Sequence, residues 1–233
     1  MRRKRRMILC VILFLAVFVI TGTKVTDVIS NREESHSIVV IDAGHGGPDP
    51  GKVGINGALE KDINLAIAGY VKNYLMQNGI TVVMTRESDK HLCQSDGSYH
   101  KVEDLKNRLA LIDSSHTDLA VSIHQNSFSS ESVHGVQVFY YGDSKEGKRA
   151  AELLQKQVSK GLKEERMRNA KSNESYYLLK KSVTPTVIVE CGFLSNRQEA
   201  DRLTDETYQK KVAWHISIGI MQYLSGTNDL PSI

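Results

Sequence analysis

The sequence predicts a single α/β domain: a mostly parallel, twisted sheet of about five to six strands with helices on both faces. Three observations carry this. β-Branched runs alternate with stretches of helical spacing along residues 37–225. The helical stretches lie between successive strands, as parallel crossovers require. No internal repeat and no shift in composition marks a second domain within those residues.

The elements follow in order. SIVVID (37–42) is a β-branched strand. Residues 61–77 place apolar Ile63, Ile67, Tyr70, Val71, Tyr74 and Leu75 three and four apart, a helical stripe. Asn78-Gly79 closes that helix. ITVVMT (80–85) is the second strand, and residues 87–100 are polar and irregular. Helix is expected over 102–112, a third strand over DLAVSI (118–123) and a fourth over GVQVFYY (135–141). A long amphipathic helix follows over 144–162. TVIV (186–189), entered through Pro185, is the fifth strand, and 205–224 the last helix. Residues 226–233 read as a disordered tail.

The first 24 residues read differently. MRRKRR precedes the apolar run MILCVILFLAVFVI, a basic segment followed by a hydrophobic one. The run is short for a membrane span, and no clean small-residue cleavage site follows. A removed signal and a retained anchor in contact with the membrane both fit. Either way the positive-inside rule places the chain after residue 25 outside the cytoplasm. Residues 25–36 form a polar linker.

Residues 1–30 hold six of the 30 Lys/Arg and one of the 27 Asp/Glu, so the remainder carries 24 against 26. The basic balance therefore belongs to the targeting segment and gives no nucleic-acid surface. Cys10 lies in the apolar run; Cys93 and Cys191 allow one disulfide or none. No C-x-x-C, H-E-x-x-H, G-x-S-x-G or phosphate-loop motif occurs.

Ligands of such sheets bind beyond the carboxyl ends of the strands. Four polar residues are expected there. His45 follows the first strand, in IDAGHGGPDPG; His124 follows the third, in SIHQNS; Glu190 ends the fifth, in TVIVECGF; Glu60 immediately precedes the first long helix. Two imidazoles and a carboxylate with one open position suit catalytic zinc, and a second carboxylate can then carry a proton. His134, before the fourth strand, is a lesser candidate for a supporting or substrate contact.

Together these motifs resemble the zinc-dependent N-acetylmuramoyl-L-alanine amidases of the amidase-3 family. VVIDAGHGG, GALEKDINLAIA, MTRESD, LKNRLALID, DLAVSIHQNS and TVIVECGFLSN carry the resemblance, which covers about residues 37–225. It implies one Zn²⁺ held by His45, Glu60 and His124, with Glu190 as general base and acid. It implies cleavage of the amide between the lactyl group of muramic acid and L-alanine of the peptidoglycan stem. Arg86, Arg108 and Asn126 are expected to orient the ligand loops or to contact substrate; the arginines equally suit pairing with buried carboxylates. DPGKVGINGALEKDINLAIA, VQVFYY and YYLLK point further to the germination-specific members of endospore formers, which act on spore cortex.

Between His124 and Glu190 no acidic insert is suited to reach the metal. The site is therefore expected to be open, with activity limited by metal occupancy or by an activator protein. Three alternatives compete: a vegetative autolysin of the same chemistry, a wall-binding protein without catalysis, and a zinc peptidase acting on the stem itself.

Overall fold

Successive residues of a strand face opposite sides of a sheet, so each β-branched run can serve two layers at once. A computed structural model describes residues 37–94, 97–114, 116–163 and 167–226. The expectations for residues 1–24, 25–36 and the tail beyond Gly226 lie outside the described residues. Strands β1 (Ile38–Ala43), β2 (Thr81–Met84), β3 (Leu119–Asn126), β4 (Gln137–Tyr140), β5 (Lys171–Ser172) and β6 (Thr186–Phe193) form one sheet in the order β2-β1-β3-β6-β4-β5. β2, β1, β3 and β6 are parallel; β4 runs antiparallel to β6, and β5 is parallel to β4.

The helices are α1 (Glu60–Gln77), α2 (Lys101–Asp113), α3 (Lys145–Leu162), α4 (Tyr177–Lys181), α5 (Arg197–Leu203) and α6 (Glu206–Ser225). Among the described residues none is long and apolar enough to cross a membrane. Ser144 and Asp205, just before α3 and α6, accept the N–H of Gly147 and Tyr208 and so cap those helices. Gly226 closes α6 in the left-handed conformation.

One face of the sheet is thick. Val39, Ile41, Leu119, Val121, Ile123, Val187 and Val189 pack there against apolar residues of α1, α3 and α6. The other face is thin. Val40 and Ala120 meet Ile112 of α2 and Leu178 of α4, while Ile188 meets Phe139 and Leu179. On this thin face lie the residues that alternate with the main core: Asp42 opposite Ser122, and His124 opposite Glu190.

Four features differ from the sequence expectation. β3 and β6 continue to Asn126 and Phe193, so His124 and Glu190 lie within strands rather than after them. Each continues because it supplies the other's ladder. Glu60 is the first residue of α1 rather than its predecessor. The fourth strand reverses direction, and β5, α4 and α5 are too short to show a period. Cys93 and Cys191 are both free thiols, one of the two states that the sequence leaves open.

Candidate active site

At the end of β1 the chain turns at once. His45 adopts φ 63, left-handed and uncommon for a residue with a side chain. Three consecutive carbonyls of this turn face two buried guanidinium groups. Arg86 donates to the carbonyls of Ala43 (2.9 Å), Gly44 (3.1 Å) and, across on α1, Lys61 (2.8 Å). Arg108 donates to the carbonyls of Ala43 (2.8 Å) and His45 (2.6 Å). Buried backbone acceptors need such partners, and these cations clamp the turn. Gly44 is required by approach rather than by φ: a Cβ there would strike the His124 ring.

Arg108 is itself neutralised by Asp104 (2.6 Å) and Asp42 (2.7 Å). Asp42 also accepts Thr85 and Ser122 hydroxyls. Burial alone would raise the Asp42 carboxyl, but Arg108 and the hydroxyls outweigh it and hold it down at about 2. A carboxyl lowered on folding stabilises the fold above its unfolded pKa and loses that contribution as pH falls through the folded value. The cluster is therefore expected to contribute about 2 kcal/mol at neutral pH, lost between about pH 4 and pH 2. Urea midpoints for wild type and Asp42→Asn across that interval check this. Their difference should vanish at the acid end.

Glu60 projects from the first turn of α1. Its Oε2 accepts the Lys52 N–H (2.8 Å) and its Oε1 the Gln125 N–H (3.1 Å). Both imidazoles converge on Oε1, His124 through Nδ1 at 2.9 Å and His45 through Nε2 at 3.3 Å. Burial would raise the Glu60 carboxyl, but the two histidines hold it well below the carboxylate range. One ligand atom from each of His45, Glu60 and His124 can be chosen so that all lie within 4.8 Å of one another. Gly51 completes the cradle, since a Cβ there would meet both the Glu60 carboxylate and the His45 ring.

The other nitrogen of His45, Nδ1, meets Asp49 Oδ2 at 2.9 Å, and Tyr99 donates its hydroxyl to the same oxygen at 2.8 Å. Asp49 thus directs Nε2 toward Glu60. Sequence reasoning missed Asp49, Tyr99 and Asp42 as members of the site. The four-residue spacing from His45 to Asp49 was a signal for the first; nothing local marked the others.

Glu190 stands beside His124 on the neighbouring strand. Burial raises its carboxyl to about 7, with the Glu60 charge adding to the rise and His124 opposing it. Its Oε2 is buried without a hydrogen bond. His45, Glu60, His124 and Glu190 line one cleft of about 660 Å³, with Asn126 and Tyr176 on its walls. Asn126 turns its Oδ1 to the Ser127 N–H. His134 is exposed, lies off this cleft and bonds Ser132.

A raised, buried carboxyl beside a His/Glu/His cluster, at the carboxyl end of a parallel sheet, defines a hydrolase-type centre able to hold a metal. The family model for N-acetylmuramoyl-L-alanine amidases matches residues 39–222, and the chain belongs to that family. It acts on peptidoglycan, at the amide between N-acetylmuramic acid and L-alanine. Among its relatives is the germination-specific N-acetylmuramoyl-L-alanine amidase of Bacillus subtilis, 41% identical over 84% of each chain. The B. subtilis amidase LytC is 33% identical over 87% of this chain but only 38% of its own length. Among solved structures, the CwlD amidase from Clostridioides difficile, in complex with the GerS lipoprotein, superposes with TM-score 0.78 at 39% identity. That match covers 82% of this chain and 99% of the other. AmiC2 of Nostoc punctiforme gives TM-score 0.72 at 32% identity, over 82% and 98%.

Proposed function

We propose that this amidase is zinc-dependent, is exported, and prepares spore cortex for germination. The convergence of His45, Glu60, His124 and Glu190 in one cleft carries the chemical part of the reading. The donor set fits Zn²⁺: two imidazole nitrogens and a carboxylate oxygen, held before any ion arrives by Asp49, Lys52 and Gln125. Zinc bound there supplies a Lewis acid for the scissile carbonyl and for water.

The protein's own groups do the rest. Glu190, raised to about 7, takes a proton from the attacking water and passes it to the departing L-alanine nitrogen. The C–N bond breaks, leaving a lactyl carboxylate and a free amine. His45 and His124 stay oriented by Asp49 and by the sheet, and Arg86 and Arg108 keep the turn from relaxing.

The similarity to the B. subtilis germination-specific enzyme supports the cortex as the working substrate. The basic and apolar N-terminal residues support export, to the space around the developing spore, with membrane contact or release after cleavage. A protein partner governing activity or metal occupancy is supported by the relative solved with a lipoprotein. The family match alone fits a second reading as well, turnover of vegetative wall by the same reaction. The test is to incubate the zinc-loaded full chain with cortex and with vegetative peptidoglycan and read released peptides by mass spectrometry. Peptides with free N-terminal L-alanine establish the amidase reaction, and preference for cortex the germination role. Cleavage within the stem would overturn both.

Asp49→Asn is expected to weaken zinc binding about 10–100-fold, because the neutral amide no longer fixes the His45 ring. Competition against a chromophoric chelator measures this. Wild-type affinity would remove Asp49 from that role.

A further inference from the structure

The YYLLK stretch has no part in the reaction derived so far, yet its first residue reaches the proton-carrying carboxylate. The Tyr176 hydroxyl donates to Glu190 Oε1 at 3.4 Å. Among the described residues it is the one side-chain group bonded to that carboxylate, since the buried Oε2 has no partner.

Tyr176 is itself held from two sides. Its ring packs edge-on against Phe139 of β4, centroids 5.5 Å apart at 85°. Its N–H donates to Asn173 Oδ1 at 2.9 Å, an oxygen that also accepts the Ser175 N–H and hydroxyl. Asn173 in turn donates its N–H to the Tyr140 carbonyl at 2.8 Å. The turn is thus fastened to the sheet edge where β5 pairs with β4. Burial and the Glu190 charge push the phenol up to about 12, so it is an O–H donor at neutral pH.

We infer that Tyr176 is a positioning residue for Glu190: its hydroxyl holds one carboxylate oxygen and so fixes the orientation of the carboxyl group in the cleft. A carboxylate with one tethered oxygen samples fewer orientations, and catalytic bonds that are long in the free enzyme tighten when substrate fills the site. Asn173 sets where that hydroxyl sits. The inference rests on Glu190 as the proton carrier.

The experiment measures kcat and KM of the zinc-loaded full chain on a soluble muropeptide, with zinc affinity measured separately. Tyr176→Phe keeps the ring and removes the hydroxyl. It is expected to lower kcat about tenfold, the lower end for a bond to a charged group, with KM and zinc affinity within about twofold of wild type. Asn173→Ala is expected to lower kcat less, also at unchanged KM. The double variant is expected to be no slower than Tyr176→Phe alone, since the tether matters only through the hydroxyl.

Wild-type kcat in Tyr176→Phe overturns the inference. So does a loss confined to KM, which would mean a substrate contact, or one that follows weakened zinc binding. If Tyr176→Phe does not fold, Asn173→Ala decides: wild-type kcat overturns the inference, and a kcat loss at unchanged KM supports it. Glu190→Gln run alongside separates the premises. Wild-type kcat there removes the proton-carrier reading itself, whereas an inactive Glu190→Gln beside a normal Tyr176→Phe removes only the role of the tyrosine.

Discussion

Glu190→Gln is expected to lower stem-peptide release by about 10²–10⁴-fold, the range that a positioned acid–base group contributes. The amide has the shape of the carboxyl and can still accept the Tyr176 hydroxyl. It cannot take a proton from water or return one to nitrogen. Zinc content should stay at the wild-type level, because His45, Glu60 and His124 keep their own partners. Stability should move the other way from activity. Burial makes the ionised Glu190 the less favourable form in the folded chain, so stability at this residue falls as pH rises through about 7. A neutral isostere removes that penalty, and the variant is expected to melt no lower than wild type at pH 8. Turnover by mass spectrometry and melting by calorimetry check the pair of outcomes. Full activity in a folded, zinc-loaded Glu190→Gln would move the acid–base role to another group.

Arg108→Met is expected to carry the largest stability loss, about 3–5 kcal/mol, the cost of leaving a buried ion pair with one partner. The side chain is 2% exposed and bonds Asp42, Asp104 and the carbonyls of Ala43 and His45. Methionine fills the space but leaves two buried carboxylates without their cation and the His45 carbonyl without its donor. The melting temperature should fall about 10 °C for a domain of this size. Zinc affinity should fall with it, since His45 sits at the clamped turn. Arg108→Lys should recover only part, because one ammonium cannot reproduce a forked set of four bonds. A loss below about 1 kcal/mol by urea titration would show that this cluster relaxes on mutation.

Much of this molecule was legible in residue order, because the forces involved are local. β-Branched runs such as SIVVID and TVIV mark strands through burial on two faces, and the stripe from Ile63 to Leu75 marks a helix through its period. Glycines around His45 marked a turn of unusual geometry, and the observed φ 63 is such a turn. His45, Glu60, His124 and Glu190 were identified by their place at strand and helix ends, and the structure brings them to one cleft.

Other features needed the third dimension. Residue order alone does not give the direction of β4, because a strand's pattern is the same in either sense and only its partner sets it. The two arginines looked alike in sequence, yet Arg108 pairs with Asp42 and Asp104 while Arg86 bonds only carbonyls. That division depends on which carboxylates the packing brings within reach. Tyr176 meets Glu190 across a gap of 14 residues through a two-residue strand and an Asn173 turn, none of which has a period to read. The sequence by itself determined which segments form strands and helices and which side chains could bear the chemistry, since burial period and residue chemistry are properties of short stretches. The tertiary structure decided which of those side chains touch, because hydrogen bonds and ion pairs are settled at about 3 Å and that distance is set only when all the layers pack.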